Sequence, residues 1–139
     1  MKAVLIGSAR EIAAVYPPPI VTQLAGLVEL YEHPIEKKDL DACQAVLSQA
    51  EVAFSTWGML PLSEAEIARY LPRLKRIFYA AGSVQYFARP FLRRGVGVSS
   101  AWAANAIPVI EYTVSLILLG LKGFFPAMAL AEAGRWSDG

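Results

Sequence analysis

The residues best suited to chemistry follow three separate apolar runs of the sequence, EVAFST, LKRIFYA and GVGVSS. They combine an aromatic ring, a turn of small residues and a side-chain amide. These residues are Trp57, Ala80, Ala81, Gly82, Ser83 and Asn105. A glycine such as Gly82 lets a ligand approach the backbone closely, and successive backbone N–H groups in a turn can hold an anion. The pattern predicts a small site for a carboxylate or a phosphate.

The titratable residues give little support for catalysis within this chain. The only histidine, His33, follows a different apolar run, where we expect a surface loop, and no pair of carboxylates accompanies the three loops. The single cysteine, Cys43, excludes an internal disulfide and a zinc cluster of several cysteines. We therefore expect no catalytic residue and no metal ligand here.

Two glycine-containing segments share only part of a nucleotide-binding pattern. Gly7, Ser8 and Ala9 follow the first apolar run, where a phosphate loop could form, but they match neither the P-loop nor the dinucleotide fingerprint. The segment GVGVSS lacks the third glycine of that fingerprint and runs into a strand. Cofactor-binding residues therefore stay unknown from the sequence.

The elements that position these loops alternate between strand and helix patterns. Short apolar runs predict five buried strands, in KAVLIG, VELYEHP, EVAFST, LKRIFYA and GVGVSS, with Pro34 stopping the second. This alternation predicts an α/β fold, an open doubly wound parallel sheet of flavodoxin-like type with helices on both faces. The three loops then meet at the carboxyl edge of the sheet, where such folds bind ligands.

Three helical patterns separate the strands. PPPIVTQLAGLV begins with prolines, and LSEAEIARYL carries Ser63 and Glu66 at the spacing of a capping box. The segment IEKKDLDACQAVLSQA predicts a helix with one apolar face, on which Cys43 fills the core. That face consists of Leu40, Cys43, Val46 and Leu47.

The last apolar segment predicts a long helix from about residue 106 to about residue 121. Its ten uncharged residues from Tyr112 to Leu121 are too few for a membrane span, which needs roughly 20, so burial in a core is the better interpretation. Asn105 is suited to cap the helix N-terminus, with Glu111 close to it. Pro126 is expected to end or kink the helix.

Composition bounds the class of protein. The chain has 139 residues, of which 55% are hydrophobic and 18% charged, and its net charge is +1. This indicates a globular domain with a large core and gives no reason to expect nucleic acid or a membrane as partner. The N-terminus lacks the pattern of a secretory signal, so we expect a cytoplasmic protein.

Two longer segments share the motif order of a known enzyme family. LPRLKRIFYAAGSVQYF has a Pro-x-Leu-Lys strand followed by a glycine-containing loop. RRGVGVSSAWAANAIPVIEYTVSLILLGLKG has an Arg-Gly pair, a short strand, a loop and a long apolar helix with a Val-x-Glu start. From about Glu51 to about Lys122, the chain thereby resembles the substrate domain of the D-isomer-specific 2-hydroxyacid dehydrogenases.

The resemblance implies a division of labour between domains. Residues 1–125 would form the substrate domain, and residues 126–139 would lead to a dinucleotide-binding domain that this chain lacks. That domain would bind NAD or NADP and carry the catalytic arginine, glutamate and histidine. The substrate would be a small 2-hydroxy or 2-keto acid, whose identity the resemblance leaves open.

The resemblance also implies roles for individual residues. The loop Ala81, Gly82, Ser83 and Val84 matches the family loop whose backbone N–H groups hold the substrate carboxylate. Trp57 and Gly58 match a loop that walls the pocket, and Asn105 matches an asparagine that formate dehydrogenases place against their substrate. Simpler structural roles also fit these positions, namely a tight turn at Gly82, packing by Trp57 and the helix cap at Asn105.

A second class of function stays open. The chain could be a free-standing flavodoxin-like module that binds a small anion without chemistry. In either case the long apolar helix lacks the cover that a second domain would supply, so we expect the isolated chain to form a homodimer through residues beyond about Val114, or to fray there.

Overall fold

A computed structural model describes residues 1–135, in two compact units, Met1–Trp102 and a second that begins at Ala103. The strands are β1 (Lys2–Ile6), β2 (Glu29–Ile35), β3 (Val52–Ser55), β4 (Arg76–Tyr79) and β5 (Gly97–Ser100). The helices are α1 (Ala9–Val15), α2 (Pro18–Ala25), α3 (Gln44–Leu47), α4 (Glu64–Tyr70), α5 (Ala88–Arg93), α6 (Trp102–Leu121) and α7 (Phe124–Glu132), with a 3-10 helix at Lys37–Asp39.

The five strands form one parallel sheet in the order β2-β1-β3-β4-β5. This is the flavodoxin-like order, in which the chain winds first to one side of β1 and then to the other. The predicted fold is therefore confirmed. All five strands point their carboxyl ends to the same edge, which places the loops that follow β1, β3 and β4 beside one another.

Helices of the first unit pack on both faces of the sheet, although on the α1 and α2 side Phe78 of β4 stays 43% exposed. On one face, residues such as Ile6, Ala53 and Ile77 pack against α3, α4 and α5 in the larger core cluster. On the other, Leu5 and Phe54 pack against α1, α2 and the residue that follows α1, Tyr16. The strands β1 and β3 are buried on both faces, as expected for central strands of a doubly wound sheet.

The second strand continues past the proline that was predicted to stop it. β2 includes both His33 and Pro34 and ends at Ile35, so His33 lies in a strand and not in a loop. β2 is an edge strand, where a proline costs no ladder hydrogen bond. Its pairing with β1 shifts register between Val4 and Ile6, which accommodates the interruption.

Three helices differ from the sequence prediction. The segment after β2 forms a 3-10 turn and the four-residue α3 in place of one long helix, although Leu40 and Leu47 are buried and Cys43 and Val46 half-buried, as predicted. The helices α1 and α5 were not predicted. The capping box of α4 is confirmed, because Ser63 Oγ accepts from the Glu66 N–H and Glu66 accepts from the Ser63 N–H.

The second unit contains a longer first helix than the sequence indicates. α6 begins at Trp102, so Asn105 lies inside it and does not cap it, and Glu111 lies beyond its first turn. The helix ends before Gly123, whose φ of 68° forms the break, and Pro126 lies in the first turn of α7, where a proline is tolerated. The predicted boundary at residue 125 falls inside α7, and a linker role for residues 126–139 stays a prediction.

Within the described residues, α6 is the one helix that is long and apolar enough to cross a membrane. It has 20 residues, its apolar part has a mean hydropathy of 1.6, and none of that part is buried. The helix is longer than the predicted uncharged run, so length does not exclude a span. The expected burial of this helix in a core is not found, because no residue of α6 is buried within the described part of the chain. Glu111 lies in its middle, where a charge is costly in a bilayer. The absence of a membrane partner, which was predicted from the short uncharged run and the balanced net charge, stays a prediction.

Candidate functional site

The loops after β3 and β4 are tied together at the carboxyl edge. Thr56, buried at the end of β3, donates a hydrogen bond from Oγ1 to the Ala80 carbonyl at 3.3 Å. The Ala80 N–H donates to the Ser55 carbonyl at 2.8 Å. These bonds hold the two predicted loops, with Trp57 on one and Gly82 on the other, on adjacent strands of the sheet.

The loop after β3 also packs closely against the loop after β1. Gly58 has a φ of +83°, and a Cβ at this position would lie 2.8 Å from the Cβ of Ser8. Gly7 has a φ of +137°, and a Cβ there would lie 3.2 Å from the Gly58 carbonyl oxygen. Both glycines are therefore needed for the close approach of the two loops, which leaves Trp57 half exposed at 49%.

The turn after β4 is held from one side by a serine of β5. Ser100 Oγ lies 3.1 Å from the Ala81 carbonyl oxygen and 2.7 Å from the Gly82 carbonyl oxygen. A hydroxyl has a single proton, so Ser100 donates to one carbonyl at a time or shares the proton between both. Either way, two successive carbonyl groups of the turn point toward the same hydroxyl.

The orientation of these carbonyls fixes the direction of the amides behind them. A trans peptide unit points its C=O and the next N–H in opposite directions, and the described residues contain no cis peptide. The N–H groups of Gly82 and Ser83 therefore point away from Ser100. Within residues 1–135, neither N–H donates to another group of the protein. Ser83 is exposed and Gly82 half-buried.

The rest of the loop is anchored in the core. The Val84 carbonyl accepts from the Ala88 N–H at 2.9 Å, which caps the first turn of α5. Phe87 is 1% exposed, and its ring lies 5.0 Å from that of Tyr79 between centroids. Burial, together with a hydrogen bond to Tyr86, raises the pKa of Tyr79 well above its ordinary value, so this tyrosine stays neutral and serves as packing.

The loop after β1 is already occupied by a carboxylate of the protein itself. Glu36 Oε1 accepts from the Ala9 N–H at 2.9 Å at the start of α1, and Lys38 Nζ lies 2.8 Å from Glu36 Oε2. The hydrogen bond from Ala9 and the charge of Lys38 lower the pKa of Glu36. A dinucleotide pyrophosphate placed at this helix start would meet that negative charge, so the described residues do not fit NAD here.

The structure groups most of the predicted site residues but not all of them. Trp57 and Gly58 lie on the β3 loop, and residues 81–84 lie on the adjacent β4 loop. Gly82 is not among the glycines with positive φ, so a tight turn does not explain the glycine. Asn105 belongs to the second unit, half-buried within α6, and its role in the site stays a prediction. Ser100 was not predicted as a site residue, because a serine at a strand end has no motif of its own.

Comparison with known proteins bears on the fold. No protein-family model and no curated protein matches the chain. Among solved structures, a glyoxylate reductase from Paecilomyes thermophila is 18% identical, with a TM-score of 0.64 over 98% of this chain and 42% of its own. D-2-hydroxyisocaproate dehydrogenase is 13% identical, with a TM-score of 0.64 over 99% and 41%.

A third solved structure has the same relation to this chain. The NAD-dependent formate dehydrogenase from Staphylococcus aureus, in complex with NAD, is 19% identical, with a TM-score of 0.61 over 98% of this chain and 42% of its own. At these identities the likeness establishes a shared fold. The resemblance to D-2-hydroxyacid dehydrogenases is confirmed at that level, and the chain spans about two fifths of the length of the structures it matches.

Proposed function

We propose that this chain is the substrate-binding half of an NAD(P)-dependent oxidoreductase that acts on a small D-2-hydroxy acid or 2-keto acid. Support comes first from the shared fold, since the solved structures named above are a glyoxylate reductase and two dehydrogenases. It comes second from the carboxyl edge of the sheet, which is where folds of this type bind ligands.

The single observation that carries the proposal is the pair of free amides on the β4 loop. The N–H groups of Gly82 and Ser83 point the same way from the turn and lack an acceptor in the described part of the chain. Two neighbouring backbone donors suit a carboxylate, and hydrogen bonds to a charged acceptor are stronger than those to a neutral one. The chain would thus hold the acid group of the substrate.

The proposal assigns cofactor binding and catalysis to another domain. The fingerprint of a dinucleotide site is missing from this sequence, and Glu36 occupies the one helix start that follows β1. A hydride carrier and a general acid or base are required for the reaction. In the proposed enzyme, both come from a dinucleotide-binding domain, which would hold NAD or NADP across the cleft from the β4 loop.

An activity assay tests this division. The purified 139-residue chain is mixed with NADH or NADPH and with glyoxylate or hydroxypyruvate, and oxidation of the cofactor is followed by absorbance. We expect no turnover by this chain, because its sequence has no dinucleotide-binding fingerprint to hold the added cofactor and no histidine after β3, β4 or β5 to donate the proton. Turnover by the purified chain would contradict the assignment of catalysis to a separate domain.

A module that binds a small anion without chemistry is the second candidate, favoured by the same two free amides. The reading frame downstream of residue 139 separates the two. Continuation into a strand followed by Gly-x-Gly-x-x-Gly supports the oxidoreductase, and a longer product that oxidises NADH with a 2-keto acid would establish it. A stop codon directly after residue 139 would favour the binding module.

A further inference from the structure

Ser100 lies at the end of β5, on the strand that neighbours the proposed substrate loop. It is half-buried and pairs with Tyr79 in the register of the sheet. Its backbone is fixed by that ladder, since the Ala101 N–H donates to the Tyr79 carbonyl at 3.0 Å. The hydroxyl is therefore presented to the β4 loop from a rigid element and not from a second loop.

We propose that Ser100 is the positioning residue of the carboxylate site, setting the direction of the Gly82 and Ser83 amides through hydrogen bonds to the carbonyls on the opposite side of their peptide units. The inference rests on the proposed function, which supplies the carboxylate. Ser100 itself makes no contact with the substrate in this scheme, because the amides point away from its hydroxyl.

The energetic reason is the freedom of the turn. The described residues of the turn, Ala81 and Gly82, make no other backbone hydrogen bond through their carbonyls, and a glycine has more accessible backbone conformations than any other residue. Without the hydroxyl, the peptide unit between Gly82 and Ser83 can rotate away from its present orientation. The two N–H groups point at one carboxylate only while both peptide units keep their orientation. If either peptide unit is free to rotate, ligand binding has to restrict it, and this entropy cost lowers the affinity.

The neighbouring strand residue provides a matched control. Ser99 is exposed, lies one position earlier on β5, and its hydroxyl has no hydrogen bond within the described residues. It pairs with Phe78 and faces the other side of the sheet. The same substitution at Ser99 therefore exchanges the same side-chain atoms on the same strand and leaves the hydrogen bonds to the turn unchanged.

The test uses the 139-residue chain labelled with nitrogen-15, and it reads both geometry and binding. Residual dipolar couplings report the directions of the Gly82 and Ser83 N–H bonds in the free protein, and a glyoxylate titration gives the dissociation constant. The isosteric pair Ser100→Thr and Ser100→Val differs only by the hydroxyl. We expect Ser100→Thr and Ser99→Val to keep both the couplings and the affinity, and Ser100→Val to change the two couplings and weaken glyoxylate binding about fivefold.

The outcomes separate the two levels of the proposal. Unchanged couplings or unchanged affinity in Ser100→Val, with a wild type that responds to glyoxylate, would overturn the positioning role and leave the proposed function intact. A wild type whose Gly82 and Ser83 amides do not respond to glyoxylate would overturn both. If Ser100→Val unfolds, Ser100→Ala replaces it, and urea unfolding of each variant shows whether lost affinity follows from lost stability.

Discussion

At the scale of single residues, substitutions at Gly82 and Ser83 show whether the backbone or the side chain binds the carboxylate. The proposed contact uses the N–H groups, so Gly82→Val should weaken glyoxylate binding by about tenfold or more, because a branched side chain blocks close approach. Ser83→Ala should change the affinity little, since its hydroxyl makes no hydrogen bond in the described residues. In a complete enzyme the same contrast should appear in the Michaelis constant. Equal damage from both changes would mean that the hydroxyl, and not the backbone, makes the contact.

Gly58 and Gly95 allow the cost of backbone strain to be separated from the cost of crowding. Both have positive φ, +83° and +78°, but a Cβ would touch Ser8 at Gly58 and nothing within 4 Å at Gly95. Gly95→Ala should lower the free energy of unfolding by about 1 kcal/mol, and Gly58→Ala by roughly 2–4 kcal/mol. Urea unfolding measures both. Equal losses would show that the loops after β1 and β3 separate at no cost.

At the scale of elements, Tyr16 links α1 to the end of β3. Its hydroxyl donates to the Ser55 carbonyl at 3.0 Å, and burial raises its pKa to about 12. The unfolded chain loses this proton near pH 10. Below that pH both states are protonated, and as pH rises from about 10 to about 12 only the unfolded state ionises, so stability falls.

Between about pH 10 and about pH 12, the free energy of unfolding of Tyr16→Phe should therefore fall by about 2 kcal/mol less than that of the wild type. At neutral pH it should be less stable by about 1 kcal/mol, because the hydrogen bond to Ser55 is lost. Urea unfolding at several pH values measures both effects. Tyr112→Phe is the control, since Tyr112 is 67% exposed. An unchanged pH dependence in Tyr16→Phe would place the titration elsewhere.

The elements that the sequence predicts well are those with local signals. The five strands and the α4 capping box follow from apolar runs and from the Ser63–Glu66 spacing. The continuation of β2 through Pro34 depends on its place at the sheet edge, which the order of strands decides and no local pattern records. The single long helix predicted after β2 is a 3-10 turn followed by the four-residue α3. Glu36, which precedes the turn, accepts from the N–H of Ala9, a residue 27 positions away that no local pattern records.

The candidate site likewise contains residues that local patterns predict and residues that only the tertiary structure reveals. The loop at 81–84 was found from its small residues and its resemblance to a family motif. Ser100 was missed, because its function depends on two carbonyl groups 18 and 19 residues earlier, and a serine at a strand end has no distinguishing pattern. The start of α6 at Trp102 was also missed, since Ala103 and Ala104 fit either a loop or a helix.

At the scale of the whole molecule, the apolar helices of the second unit should drive self-association. Leu118 and Leu121 are 55% and 79% exposed, and large exposed apolar patches mark interaction surfaces. At about 25 cal/mol per Å², a few hundred Å² buried on each partner gives several kcal/mol. We expect the isolated chain to dimerise, and Leu118→Glu with Leu121→Glu to yield monomers in sedimentation velocity.

The control for this prediction is Leu27→Glu, because Leu27 is 80% exposed but lies in the first unit. This variant should stay dimeric. A wild-type chain that is monomeric at all concentrations, with amide protons protected from exchange through Phe125, would contradict association through α6 and α7.

The central claim is that this chain holds the acid group of a substrate and leaves the dinucleotide to another domain. A nitrogen-15 titration of the wild-type chain, first with glyoxylate and then with NADH, tests it most directly. We predict that glyoxylate shifts the amide resonances of Gly82 and Ser83 at concentrations where NADH shifts none in the first unit. Saturable shifts by NADH around Gly7, Ser8 and Ala9, with no response to glyoxylate at Gly82 and Ser83, would contradict it.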